Sequence, residues 1–317
     1  MSKSDLLLMA PIFPPTIAQL EAVYHVHRYW ESKDQPGLLA SLKDKCQAVA
    51  TSGSSGITAA QIAALPKLKV ISCFGVGYDG VDVAAAKAAG VKVTNTPDVL
   101  NECVADTSMM LVLATVRRAV FNDKFVRAGK WLKGNAPLTD KVWGETLGIV
   151  GLGRIGKAIA KRAEGFGMKI VYHGRTQQAD VPYEYYADVK EMAKAVRVLL
   201  LILPGAKASA NMINAEVLAA LGKKGYLINL SRGSNVDEAA LLKALQDGTI
   251  AGAGLDVFAD EPRMSEAFFA LDNVVLQPHV GSGTVFTRTA MGQCCVDNLA
   301  AWFSGKPLLT EVPETRG

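Results

Sequence analysis

Three residues able to carry charge or a proton each stand at or just beyond an apolar run in the last third of the chain: Arg232 in YLINLSRGSNVDE, Glu261 in AGLDVFADEP and His279 in NVVLQPHVGSGT. Each run reads as a strand, and open α/β sheets bind ligands beyond the carboxyl ends of their strands. An arginine, a carboxylate and a histidine in such places form a set suited to reducing a carbonyl. Hydride attack on a keto carbon builds negative charge on its oxygen, which then needs a proton and a nearby cation. A free imidazole titrates near pH ~6.5, and an adjacent carboxylate favours its protonated form. A guanidinium hardly gives up its proton, so arginine supplies charge and histidine the proton. Each residue also has a plainer reading: Arg232 as a surface cation, Glu261 as a helix-cap acid, His279 as a packed ring. The other histidines are His25 and His27, in the early strand-like run VYHVHRYW, and His173.

A glycine loop, GLGRIG at 151–156, follows the strand-like LGIV. Ile155, Ala158, Ile159, Ala163 and Phe166 then recur at helical spacing, the context that turns a weak motif into a dinucleotide site. Gly151 permits the tight turn, Gly153 lets a pyrophosphate approach the backbone, and Gly156 lets helix and strand pack closely. The helix N-terminus offers free N–H groups to the anion. The second strand of such a unit ends about 20 residues on, in VYHGRT at 171–176, where an acidic residue commonly grips the adenosine ribose. This turn has His173, Gly174, Arg175 and Thr176, with no carboxylate. The Arg175 fork matches phosphate oxygens and Thr176 adds a hydroxyl donor, so the turn predicts NADP(H) over NAD(H).

The elements that must position these groups alternate along the chain. Strand-like runs include DLLLMA (5–10), QAVAT, KVISCFG, VKVTN, LGIVG, KIVYHG, VLLLILPG, GYLINLS, AGLDVF and NVVLQPH. Many are apolar without alternation, as strands covered on both faces would be. Helical stretches such as DEAALLKALQDG lie between them, with Asp237 as cap and Gly248 as stop. This alternation predicts parallel α/β sheets. The LLLMA run reads as a buried sheet edge, AGLDVF holds Asp256 inside a strand, and 101–130 reads as one connecting helix. About 95 residues precede the nucleotide unit, so two α/β domains are expected, with a cleft between them as the favoured ligand site.

Composition narrows the partners. The chain has 317 residues, half of them apolar, with 34 basic against 30 acidic residues and no basic block. That length suits two domains, and the dispersed charge argues against nucleic acid. No run reaches the ~18 apolar residues of a membrane span, and nothing resembles a secretion signal, so a cytoplasmic location and no membrane partner are expected. Five cysteines (46, 73, 103, 294, 295) form no CxxC pair and no histidine stands at metal-ligand spacing, which predicts reduced thiols and no metal.

Taken together, FGVGYDGVD (74–82), NTPDVLNECVAD (95–106), GIVGLGRIG, NLSRGSNVDE, AGAGLDVFADEP and PHVGS resemble the D-isomer-specific 2-hydroxyacid dehydrogenase family, in family order over nearly the whole chain. Within the family the chain looks most like the glyoxylate/hydroxypyruvate reductase branch, whose members often carry a GR pair at the ribose turn. The resemblance implies a Rossmann nucleotide domain (99–285) inserted into a flavodoxin-like substrate-binding domain (1–98 and 286–317), both doubly wound parallel sheets. Arg232 would pair with the substrate carboxylate and polarise the keto oxygen, His279 would be the acid–base group, and Glu261 would bind its far nitrogen. The N–H groups of Val76 and Gly77 would hold the carboxylate, and Tyr78 or the stretch around Trp131 could shape its pocket. Asp256 would hold the nicotinamide carboxamide, with Leu203 and Pro204 on the adenine side. Further cofactor contacts are implied at Arg154, Ile155, Leu230, Ser231 and Gly281. A homodimer through the nucleotide domain is implied, as is closure over substrate with hinges near 96–101 and 281–286.

Two features depart from the family pattern. Gly283 stands where alanine is frequent, which would loosen the loop after His279. The chain ends soon after WFSGKPLL, which argues against the form of phosphoglycerate dehydrogenase with added regulatory domains. The expected reaction is NADPH-dependent reduction of a small 2-keto acid, glyoxylate or hydroxypyruvate foremost. The alternatives are 2-ketogluconate or 4-hydroxyphenylpyruvate as substrate, or a corepressor-like protein that senses dinucleotide without catalysis.

Overall fold

The computed structural model describes residues 3–205 and 207–316. Contacts divide the chain into two compact units, Met1–Leu100 with Thr284–Gly317, and Asn101–Gly283. The second unit is thus inserted, in chain order, into the first.

The first unit contains β1 (Asp5–Leu8), β2 (His25–Arg28), β3 (Ala48–Ser52), β4 (Val70–Phe74) and β5 (Lys92–Thr94). They form one parallel sheet in the order β2-β1-β3-β4-β5, a flavodoxin-like arrangement. Apolar runs such as LLL and VIS bury both faces of their strands, as a sheet covered by helices on each side requires. The helix Val285–Phe303 packs on β4 and crosses the helix Pro14–Val23 at Gly292, where a Cβ would strike Thr16. The LLLMA run is not an edge. β1 pairs on both sides, and the edge falls to β2, whose polar HVHR sequence suits a margin open to water.

The inserted unit contains β6 (Thr146–Val150), β7 (Lys169–His173), β8 (Glu184–Tyr186), β9 (Val198–Leu201), β10 (Tyr226–Asn229), β11 (Gly252–Leu255) and β12 (Val274–Leu276). All are parallel, in the order β12-β11-β10-β9-β6-β7-β8. The order reverses direction between β6 and β9, which makes a switch point where helices diverge to opposite faces. Strand β8 was not among the expected runs, because EYY is short, polar and at an edge. Asp237 caps the helix Glu238–Gln246 as its sequence predicts, accepting from Ala240 N at 3.0 Å.

The expected helix over 101–130 is two helices, Asn101–Val116 and Ala119–Arg127. The chain breaks at Arg118, which has φ +48 and lays its guanidinium 4.1 Å over the ring of Phe121. Neither proline nor glycine marks that break. After it, Val126, Trp131, Leu132, Leu138 and Trp143 are exposed, Leu132 and Leu138 almost completely.

Candidate active site

Nearly every group singled out in the inserted unit lies beyond the carboxyl end of a strand. The glycine loop follows β6, the 174–176 turn follows β7, and Leu203 and Pro204 follow β9. Arg232 follows β10, Asp256 and Glu261 follow β11, and His279 follows β12. Since β10, β11 and β12 are adjacent, the three polar groups leave neighbouring strands at the same end of the sheet. Asp256 sits one residue past β11 rather than within it.

Each glycine of the loop has a local task. Gly151 adopts φ +100, Gly153 faces open space, and a Cβ on Gly156 would strike the Gly151 carbonyl. The helix Arg154–Glu164 then begins at Gly153 with no side-chain cap and no acidic residue in its first turn. Its first amides therefore point to a partner from outside the helix, the chemistry of an anion site.

The turn after β7 is anchored at three points. Tyr172 Oη accepts from Gln178 N at 2.7 Å, Gln178 Nε2 donates to Leu152 O at 2.8 Å, and Tyr185 Oη donates to Gly174 O at 3.1 Å. His173 Nδ1 lies 2.9 Å from Tyr186 O and must donate to it, since a carbonyl only accepts. Asp180, the nearby carboxylate, is held by Lys157 at 2.6 Å, and that contact lowers its pKa. Arg175 and Thr176 project from the fixed turn, exposed, and pair with no other described residue. Gln178 had no signal in the sequence.

His279 and Glu261, expected as partners, meet. His279 Nδ1 lies 2.6 Å from Glu261 Oε2, while Glu261 Oε1 accepts from Phe258 N at 3.0 Å. An ionised carboxylate only accepts, so Nδ1 donates to Glu261 and Nε2 is not engaged by it. Burial acts to raise the Glu261 pKa, but the hydrogen bonds from His279 and Phe258 and the charges of His279 and Arg232 outweigh it. Its carboxyl therefore titrates below the ordinary value of 4.5 and is charged at neutral pH. Glu238 Oε2 takes the amide of Ala259 at 2.9 Å, fixing the loop that carries Glu261. A Cβ on Gly233 would strike the backbone of Phe258, so the segment bearing Arg232 lies directly on that loop.

His279 itself adopts φ +54, in the left-handed region, which few side chains other than Asn, Asp and His occupy. The conformation is held by Asp256, whose Oδ1 accepts from Val280 N at 2.7 Å and Oδ2 from Gly281 N at 2.8 Å. Asp256 is buried, and burial pushes its carboxyl pKa up against those two amides. This clamp on the turn after β12 was not foreseen. The N–H of Gly283 closes onto Val280 O at 2.7 Å, and a Cβ at 283 would lie 2.9 Å from that same carbonyl, so the glycine suits the tightness of this turn.

Arg232 is set by a network that sequence alone did not disclose. Buried Asn229 accepts from Ser231 N at 3.0 Å and Ser231 Oγ at 2.6 Å and donates to Arg232 O at 3.2 Å, while Asn235 reaches Ser231 Oγ at 3.1 Å. Leu230 and Ser231 turn their side chains inward, so a ligand there would meet backbone only.

In the other unit, Val76 and Gly77 follow β4, with Val76 O accepting from Asn95 Nδ2 at 2.8 Å. Their own N–H groups donate to no other described residue, as an oxyanion-binding turn requires. Tyr78 Oη donates to Glu314 at 3.1 Å, and burial first, then that carboxylate, push its phenol up to about 12. No helix among the described residues is long and apolar enough to cross a membrane.

A parallel sheet with a glycine loop after its first strand, and a carboxylate-bound imidazole beyond its last, defines a dinucleotide-dependent oxidoreductase. Residues 109–281 match the family model for the NAD binding domain of D-isomer specific 2-hydroxyacid dehydrogenases. The chain is 46% identical to glyoxylate/hydroxypyruvate reductase A of Arabidopsis thaliana over 98% of this chain and all of that one. It is equally identical, at 46%, to hydroxyphenylpyruvate reductase of Plectranthus scutellarioides, over the same shares. Among solved structures, an NADPH-dependent glyoxylate/hydroxypyruvate reductase from Sinorhizobium meliloti, in complex with NADP and malonate, superposes with a TM-score of 0.93. That pair shares 46% identity over 99% of this chain and 98% of the other. The chain belongs to the D-isomer-specific 2-hydroxyacid dehydrogenase family.

Proposed function

We propose that this protein reduces small 2-keto acids, glyoxylate and hydroxypyruvate foremost, to D-2-hydroxy acids with NADPH. The observation that carries the reading is the 2.6 Å Glu261–His279 pair at strand ends adjacent to Arg232, whose charge Glu261 feels. Bound NADPH supplies the hydride. His279 Nε2 gives its proton to the oxygen as charge develops there, and Glu261 balances the imidazolium beforehand. Arg232 stabilises that oxygen and the substrate carboxylate. The amides of Val76 and Gly77 suit a carboxylate, and Asp256 would hold the nicotinamide carboxamide with lone pairs not used by Val280 and Gly281. The names of the relatives in Arabidopsis thaliana and Sinorhizobium meliloti support glyoxylate and hydroxypyruvate. The Plectranthus scutellarioides relative supports a second reading, in which an aromatic 2-keto acid is preferred.

A panel of 2-keto acids with NADPH or NADH, followed by loss of reduced-nicotinamide absorbance, tests the proposal. Turnover on glyoxylate and hydroxypyruvate is the expected result. A preference for hydroxyphenylpyruvate selects the second reading, and no turnover on any acid favours a dinucleotide-sensing binding protein.

The cofactor preference rests on the anchored turn, where an unpaired Arg175 fits a 2′-phosphate. Arg175→Ala is expected to weaken NADPH binding roughly ten- to hundred-fold, from the ~1.5–3 kcal/mol of a hydrogen bond to a charged group, with NADH unchanged. Fluorescence titration of both cofactors checks this, and equal losses would remove the assignment.

Assembly as a homodimer through the inserted unit is supported by the exposed apolar residues between 126 and 143, since a patch of that kind marks an interaction site. Leu132→Asp together with Leu138→Asp is expected to yield monomers by light scattering, where the wild type gives dimers. A wild-type monomer at micromolar concentration would dismiss the dimer.

A further inference from the structure

Outside the oxidoreductase site, two of the four histidines stand together on an edge strand. His25 and His27 are two residues apart on β2, so both side chains leave the same face. Their rings stack with centroids 4.5 Å apart and planes within 10°. The parallel register sets Asp5 of β1 beside His25 and Leu7 beside His27, which brings a carboxylate onto that face. Asp5 Oδ1 reaches His27 Nε2 at 2.6 Å. One ligand atom from each of the three residues lies within 4.8 Å of the other two. Nothing in the spacing of HVH alone reveals the carboxylate; strand pairing supplies it.

We propose that Asp5, His25 and His27 form a site for a divalent d-block cation of the zinc class, with water in the remaining position. Imidazole and carboxylate ligands bind zinc at about 2.0–2.2 Å in tetrahedral geometry, which puts ligand atoms about 3.4 Å apart. The ligand atoms already stand within 4.8 Å of one another on two hydrogen-bonded strands, so small side-chain adjustments are what the site requires. Two imidazoles select zinc, nickel or copper over magnesium or calcium, which prefer all-oxygen sites. His25 is exposed, so the site is open to solvent, while Asp5 and His27 are half-buried and held. The neighbouring charges do not block it. Lys45 Nζ lies 3.7 Å from Asp5 on a half-exposed side chain able to swing away, and Glu21 is engaged by Arg28. A bound ion would tie β2 to β1 and stabilise the first unit by mass action.

The plain alternative is an Asp5–His27 ion pair against which His25 merely stacks, and the two differ in what His25 does. Untagged protein, freed of metal by dialysis against chelator, would be titrated with Zn2+ by calorimetry and followed by thermal unfolding, with Mg2+ as control. One equivalent of Zn2+ should bind and raise the Tm as its concentration increases, reversibly on adding chelator, while Mg2+ does nothing. His25→Ala keeps the Asp5–His27 pair and should fold and turn over substrate as wild type does, but lose both the stoichiometric binding and the Tm rise. Asp5→Asn should weaken binding while retaining some. Absence of Zn2+ binding by wild type overturns the proposal, and so does undiminished binding by His25→Ala, which would place the ion elsewhere.

Discussion

His279→Asn is expected to lower kcat by about 10²–10⁴, the range for losing a positioned general acid, while NADPH binding stays at the wild-type level. Asparagine is the informative replacement, because it tolerates the left-handed backbone that His279 occupies at φ +54. Alanine there would add backbone strain to the chemical loss and confuse the two. The Asp256 clamp grips the amides of Val280 and Gly281 whatever side chain stands at 279, so the turn should persist. Comparing kcat with the cofactor dissociation constant separates chemistry from folding. Retention of turnover within an order of magnitude of wild type would mean that the proton comes from another group.

Arg232→Ala is expected to cost about 10²–10³ in kcat, as removal of a single oxyanion-stabilising donor does, and to raise KM as well. Both parameters move because one guanidinium is proposed to serve the developing oxyanion and the substrate carboxylate. Arg232→Lys should recover little, since an ammonium keeps the charge but not the planar fork. The carbonyl of Arg232 is held by Asn229, so the backbone should remain in place when the side chain is cut back. Steady-state kinetics on the best keto acid decide the matter. A change confined to KM would restrict Arg232 to ground-state binding.

The strand ends that carry Arg232, Glu261 and His279 were readable because apolar runs followed by glycine and polar residues mark them locally. The parallel sheets were readable for the same reason, from alternating apolar runs and helical stretches. What sequence did not disclose depends on residues distant along the chain. The grip of Asp256 on residues 280 and 281 joins positions about two dozen residues apart, and an aspartate after a strand carries no sign of it. Asn229, Asn235 and Gln178 look like ordinary polar residues until their partners are known. The break at Arg118 rests on a left-handed arginine over Phe121, without the glycine or proline by which breaks are commonly recognised. The interior position of β1 depends on HVHR pairing along its outer side, an order that neither run announces locally.

Strand β7, with Arg175 at its tip, lies five places from β12, which bears His279. At the usual spacing of neighbouring strands that is roughly 24 Å. The turn beyond β7 is braced by Tyr172, Gln178 and Tyr185, none of which supports the loops beyond β10, β11 or β12. On the proposed roles, changes at 174–176 would redirect which electron carrier is accepted while leaving the reacting end undisturbed. In evolutionary terms, carrier choice and acid chemistry would then be separable traits of one sheet, free to drift at different rates.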